Sequence, residues 1–150
     1  MTTVSDTEKR YRRFYDYVLE QILRTKWVSK ENEAQWLQMA TFDLNIEPFA
    51  TRALVLGAAA TQCVFVESEM ERLLDDLVKK TANRSKSLKK ADFVNLADML
   101  QVLSRGALNK DHAEQLVKEA VIRNDITPRG SGLFRSRGWF RSMGLHKIRA

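Results

Sequence analysis

The residues with the most chemical potential lie near the C-terminal end. From Gly132 the chain reads Gly-Leu-Phe-Arg-Ser-Arg-Gly-Trp-Phe-Arg-Ser-Met-Gly-Leu-His-Lys-Ile-Arg-Ala, which interleaves Arg135, Arg137 and Arg141 with Phe134, Trp139 and Phe140. Guanidinium groups neutralise phosphates and flat rings stack on bases, so the mixture suits a nucleic acid. It also suits an interfacial membrane segment with the apolar side chains inserted and the arginines at the head groups. A third use is docking, in which the aromatic residues enter a partner's groove and the basic ones form its polar rim. Composition leaves all three open.

Other candidate chemistry fails on spacing. Cys63, His112 and His146 are too few and too scattered for a zinc site. Asp43-Leu-Asn45-Ile-Glu47 imitates the first ligands of a calcium loop, but the required glycine is Pro48 and the closing carboxylate is Leu54. Asp43 and Asn45 are expected to cap a helix instead. No glycine-rich phosphate loop is present, and Gly130-Ser-Gly132 lacks the strand-turn-helix setting of a nucleophile elbow. His112 beside Asp111 reads as a satisfied or exposed histidine. The carboxylates Glu67, Glu71, Asp75 and Asp76 read as a solvated helix face with Arg72, Lys79 and Lys80 as partners. No catalytic residue, metal ligand or cofactor is assigned, and the chain reads as a non-enzyme.

The charge is segregated. The net charge is +6, yet residues 1–122 hold 18 basic and 18 acidic side chains, so the excess belongs to the end of the chain, where Arg123, Arg129, Arg135, Arg137, Arg141, Lys147 and Arg149 face Asp125 alone. Such a tail suggests an acidic partner, which is DNA or RNA, an acidic protein face or, less favoured, an anionic membrane; the alternative is a solvated tail that aids solubility. The longest apolar run, Ala53 to Val66, is too short to span a bilayer, the first residues lack an apolar signal stretch, and a lone cysteine excludes an internal disulfide. The expectation is a cytoplasmic or nuclear protein with Cys63 as a small buried residue.

The elements that must position these residues are helical. Tyr11, Phe14, Tyr15, Val18, Leu19, Ile22 and Leu23 recur at three- and four-residue steps and predict a helix over Glu8 to Lys26. Ser29 reads as the N-cap of a second helix, Lys30 to Phe42, burying Ala34, Trp36, Leu37 and Ala40. Pro48 opens a long central helix reaching about Ala82, ~50 Å at ~1.5 Å per residue. Its stripe would be Ala53, Leu56, Ala60, Cys63, Met70, Leu73, Leu74 and Leu77, with Gly57 at a helix crossing. Asn83 to Lys90 reads as a basic loop. Helices follow over Ala91 to Arg105, stopped by Gly106, and over Leu108 to Asn124. The starts at Val28-Ser-Lys-Glu, Leu88-Lys-Lys-Ala and Leu108-Asn-Lys-Asp look alike, but separations of 60 and 20 residues argue against a repeat. No strand of useful length is expected.

Read from Glu33 to Arg105, the order of helix, loop, long central helix, basic loop and short helix resembles the histone fold of transcription-factor subunits. Asn83-Arg-Ser-Lys-Ser-Leu-Lys-Lys-Ala-Asp92-Phe looks like that family's loop into its last helix. Phe42-Asp-Leu-Asn-Ile-Glu-Pro48, followed by Arg52, Leu54, Leu56 and Ala58, looks like its first loop and central-helix start. The resemblance implies pairing through the long helix, with a protein partner or in a homo-oligomer, and makes Arg84, Lys86, Lys89 and Lys90 candidate phosphate contacts.

The expected architecture is therefore all-α: a bundle of about five helices with one long central helix, histone-fold-like in its middle, over residues 1–125, followed by a basic, aromatic-containing tail over 126–150. The expected function is binding and assembly. Arg84, Lys86, Lys89, Lys90, Arg129, Arg135, Arg137 and Arg141 would contact a nucleic acid or another acidic partner, with Phe134, Trp139 and Phe140 as tail anchors. The alternative is a helical adaptor or structural subunit whose tail docks on a protein groove or an anionic membrane.

Overall fold

The computed structural model describes residues 4–130, 132 and 136–144. Among these the chain forms α1 (Asp6–Leu23), β1 (Trp27–Val28), α2 (Lys30–Asp43), α3 (Pro48–Thr61), β2 (Phe65–Val66), α4 (Glu67–Thr81), β3 (Ser87–Leu88), α5 (Lys90–Leu103), α6 (Lys110–Arg123), β4 (Thr127–Pro128) and α7 (Gly138–Ser142). It is predominantly helical, with strands of only two residues. It divides into two compact units, Met1–Ser68 and Glu69–Ala150. Seven helices are present among the described residues where about five were expected, because the central helix is two helices and the tail contains a short one.

The break in the central helix has a local cause. Cys63 adopts φ 53°, and around it the Cys63 N–H donates to the Ala60 carbonyl (3.1 Å) and the Val64 N–H to the Ala59 carbonyl (2.9 Å). This is the Schellman termination, in which a left-handed residue lets the chain turn back and satisfy the last carbonyls. Glycine usually holds that position and cysteine here conceals it. Cys63 is consequently exposed, not buried. Of the expected stripe only Leu74 is buried: α3 buries Thr51, Val55, Ala58 and Ala59, and α4 buries Leu74 and Val78. Gly57 faces open space and is no helix crossing. Glu47, not Asp43 or Asn45, is the N-cap residue of α3.

In the first unit, the face of α1 expected from spacing supplies Phe14, Val18 and Ile22 to a core shared with Val28, Trp36, Ala40, Ile46, Val55, Ala58, Ala59 and Val66. Each large side chain buried in this way contributes about 1.5–3 kcal/mol. Ser29 caps α2 as predicted, accepting from the Asn32 N–H at 3.0 Å within a reciprocal capping box. Parallel strands need a crossover, and α2 and α3 provide it: Trp27 pairs with Phe65 and Val28 with Val66.

In the second unit, α5 buries Phe93, Leu96, Ala97 and Leu100, and α6 buries Ala113, Leu116, Val117, Ala120 and Val121, as the spacing predicts, while Leu103, expected on the same face of α5, is exposed. Asn109 caps α6 through the His112 N–H at 2.8 Å. The basic loop ends in a strand, with Ser87 paired to Thr127 and Leu88 to Pro128, again parallel.

The two units are versions of one unit. Each reads helix, strand, helix, helix, strand, and α2, α3, α5 and α6 are all 14 residues long. Buried Phe14, Val18, Val28, Trp36 and Ala40 correspond to buried Leu74, Val78, Leu88, Leu96 and Leu100 at a spacing of 60. Beyond the α5–α6 connection the spacing becomes 62: buried Ile46, Val55, Ala58 and Ala59 correspond to Leu108, Val117, Ala120 and Val121. Asp125, with φ 54°, occupies the place of Cys63, and the Ile126 N–H reaches the Val121 carbonyl as Val64 reaches Ala59. The repeat denied by the spacing of helix starts is thus present, because a two-residue longer connection shifts its second half.

Candidate functional site

Two places where the repeats differ concentrate the chemistry. The first is the start of the helix after the first strand of each unit. In the first unit Ser29 caps α2, and the Glu67 carboxylate accepts from the Lys30 N–H at 3.1 Å, so an internal anion sits at the positive end of the helix. In the second unit the same two places hold Lys89 and Arg129. Lys89 is the N-cap residue of α5 and makes no side-chain cap. Among the described residues, no side chain accepts from the N–H groups of Lys90, Ala91 or Asp92.

The strand pair builds this face. The Thr127 N–H donates to the Lys86 carbonyl and the Arg129 N–H to the Leu88 carbonyl, both at 2.8 Å, which joins the basic loop to the first part of the tail. Lys89, Lys90, Ala91, Arg129 and Gly130 line a depression of about 290 Å³. Arg129 and Gly130 also line an adjoining one of about 410 Å³ with Ser87, Thr127, Pro128 and Arg137. Arg84 and Lys86 are exposed on the turn before β3, where Asn83 Oδ1 accepts from the N–H groups of Ser85 and Ser87, both at 3.0 Å. Lys86 adopts φ 55° in that turn. No carboxylate among the described residues is ion-paired with Arg84, Lys86, Lys89, Lys90, Arg129 or Arg137.

The second difference is the groove between the two helices that follow the first strand. In the second unit it holds α7. Trp139 is 9 % exposed, lies edge-on to Phe93 with ring centroids 5.4 Å apart, and donates from Nε1 to the Arg129 carbonyl at 3.0 Å. Phe140 packs on Phe93 at 5.9 Å and under Lys118, whose Nζ is 5.3 Å from the ring centroid. The Gly144 N–H donates to buried Glu114 at 3.2 Å, and the Cβ that any other residue would carry at position 144 would lie 3.2 Å from the Gln115 backbone. Two of the expected tail anchors are therefore used inside their own unit, and one of them fixes the backbone of Arg129. Arg141 is exposed on α7, while Phe134 and Arg135 lie outside the described residues.

In the first unit the same groove is open among the described residues. It encloses about 520 Å³ and is lined by Ala34, Leu37, Phe49 and Val55, with Glu33, Arg52 and Ser68 at one side. Arg52 Nη1 lies 3.2 Å from Glu33 Oε2, and the Ser68 hydroxyl donates to the same carboxylate.

The carboxylates read as a solvated face are more structured than expected. Asp75 accepts from Arg123 Nη2 at 2.6 Å and from Asn124 Nδ2 at 2.8 Å, tying α4 to the end of α6. Burial raises the Asp75 pKa, but the hydrogen bonds from Arg123 and Asn124 outweigh it and hold the carboxyl below its ordinary value. The hydrogen bond to Asp75 in turn raises Arg123. Among the described residues no cluster of three potential metal ligands occurs, and no helix is long and apolar enough to cross a membrane.

No protein-family model, curated protein or solved structure matches the chain. The contribution of Ser87 and Thr127 to the basic face and the open groove at Leu37 and Phe49 were not anticipated from sequence. The signal that reaches both is the 60-residue spacing of Val28-Ser29-Lys30 and Leu88-Lys89-Lys90, which aligns Glu67 with Arg129 once the longer connection is allowed for.

Proposed function

We propose that the chain is a non-enzymatic helical binding protein whose second unit engages the phosphates of a nucleic acid. The observation that carries this is the exchange of charge at one place in the repeat. Where the first unit neutralises the start of α2 with its own Glu67, the second presents Lys89, Lys90 and Arg129 around the uncapped start of α5. Helix N-termini favour phosphate oxygens through backbone N–H groups and the helix dipole, and flanking cations add to that preference. Arg137 extends the face along the second depression, and Arg84 and Lys86 extend it along the turn.

Base stacking by Trp139 or Phe140 is not part of this reading, since both rings pack on Phe93. The same packing counts against the alternative in which these residues anchor the tail in another protein or a membrane. Nor does the reading depend on the histone-fold resemblance or on pairing through a helix over 48–82, which here is interrupted at 62–66.

The test is fluorescence anisotropy of the full chain with a labelled DNA duplex and a single-stranded RNA. Four neutralised phosphates predict an affinity loss on the order of 100-fold between about 50 mM and about 200 mM salt. Lys89→Glu with Arg129→Glu should remove most of the binding at low salt while leaving thermal unfolding close to wild type. Absence of binding above background at low salt, or binding that ignores both substitutions, defeats the proposal.

A further inference from the structure

The open groove of the first unit is the counterpart of the place where the second unit seats α7. Glu33, Leu37, Arg52 and Val55 correspond through the repeat to Phe93, Ala97, Glu114 and Val117, and the α7 segment rests on Phe93 and Glu114. A short helix with a bulky anchor is therefore a ligand this frame accepts, and the first unit lacks one among the described residues. Its apolar lining is unusually open to solvent: Phe49 is 83 % exposed and Leu37 38 %. Exposed apolar side chains gathered around a cleft mark an interaction surface.

The polar residues narrow the choice of occupant. In the second unit buried Glu114 accepts the N–H of Gly144 just beyond the end of α7. In the first unit that place belongs to Arg52, whose side chain is 40 % exposed, and Lys30 also lines the groove. Arg52 is the more exposed member of its pair with Glu33, and with Lys30 the lining carries two cations to one carboxylate, an excess that suits the C-terminal carbonyls or a carboxylate at the end of an incoming helix. The α7 segment of a second copy suits the site poorly, because it would set the Gly144 N–H, a donor, against Arg52 and find Glu33 in place of the Phe93 ring.

We propose that the groove between α2 and α3 docks an amphipathic helix of a partner protein, with a bulky apolar anchor set between Leu37 and Phe49 and an acidic C-terminal end against Arg52. This site is separate from the phosphate-binding face and stands or falls independently of it. Recognition follows the helix-in-groove mode, in which the anchors supply affinity and the charged end sets direction.

The test uses the full ¹⁵N-labelled chain and two synthetic amphipathic helices of about 20 residues, longer than the roughly 12–15 below which isolated helices are marginal. Both carry Trp and Leu on one face; one ends in Glu and the other in Lys. The Glu peptide should shift the amide resonances of Ala34, Leu37, Phe49 and Val55 and bind about tenfold more tightly than the Lys peptide, as expected for a close charge pair at an interface rim. Arg52→Gln should erase that preference without setting a second carboxylate beside Glu33. Leu37→Asp, at a position already exposed to solvent, should abolish binding of both peptides with thermal unfolding unchanged. The proposal is overturned if neither peptide shifts these amides at millimolar concentration, or if Arg52→Gln leaves the preference intact. A dimer in light scattering that Leu37→Asp dissociates overturns it too, by giving the groove to a second copy.

Discussion

The two units place similar frames under opposite surface chemistry. Residues 1–68 carry eight basic and nine acidic side chains, while residues 69–150 carry seventeen and ten. The first unit closes its helix start with its own Ser29 and Glu67 and leaves its groove open. The second fills its groove with Trp139 and leaves its helix start to Lys89, Lys90 and Arg129. Each frame offers an anion place and an apolar place, and each unit satisfies one internally. The nine core positions paired above stay apolar in both, whereas in the groove buried Phe93 and Glu114 stand where the first unit has Glu33 and Arg52.

That comparison can be broken most severely at the filled groove. Trp139→Ala should destabilise the second unit by about 3 kcal/mol or more, measured by urea unfolding, through the lost ring packing and the void it leaves. Phe49→Ser, in the open groove, should leave unfolding of the first unit within about 0.5 kcal/mol of wild type. Equal effects would mean that the two grooves are not the counterparts described.

A smaller effect is expected at the left-handed positions. Cys63→Gly and Asp125→Gly should each stabilise the unit that carries them by about 1 kcal/mol, since a left-handed backbone costs a side-chain-bearing residue roughly that much. Both should raise the melting temperature, whereas Gly57→Ala, inside α3 and facing open space, should raise it for a different reason, helix propensity.

The exchange of caps can be reversed directly. Lys89→Ser gives α5 the cap that α2 already has and should add about 1 kcal/mol of stability while weakening nucleic-acid binding. A gain in stability together with undiminished binding would separate the helix start from any binding by the basic face.

The smallest effect concerns the latch of the second unit. A depressed carboxyl pKa contributes stability above the ordinary carboxylate range and loses it as pH falls through the lowered value. Asp75→Asn should therefore cost up to about 1 kcal/mol near neutrality, and the cost should shrink as pH drops toward 3. An acid-unfolding curve identical to wild type would show that Arg123 and Asn124 do not hold the carboxylate in solution.

The helices were legible because their buried faces repeat at helical spacing. Phe14, Val18 and Ile22 in α1 and the buried face of α6 follow from that periodicity alone, and the caps at Ser29 and Asn109 follow from their side chains. The central helix was misread because its stop depends on a left-handed cysteine, a backbone state that residue type does not announce. The two-residue strands are too short to alternate, so the pairing that joins the basic loop to the tail had no local signature. Of the candidate site, Lys89, Lys90, Arg129 and Arg137 were legible as charges, but their gathering on one face depends on that pairing. Trp139 and Phe140 were recognised as anchors, and only the packing shows that they anchor their own unit.

The parallel strands have a consequence for the order in which the molecule acquires its parts. Each pair unites residues separated by an entire two-helix crossover, so the loop entropy falls due before the short ladder returns any hydrogen bonds. Helical hairpins built from neighbouring segments should form first and the strands last. In the second unit the basic face exists only once β3 and β4 have met, and Trp139 bonds to a carbonyl positioned by that meeting. An anion that requires the completed face binds the native state and not its precursors, so saturating ligand should slow unfolding of the second unit while leaving the early helical phase of refolding unchanged.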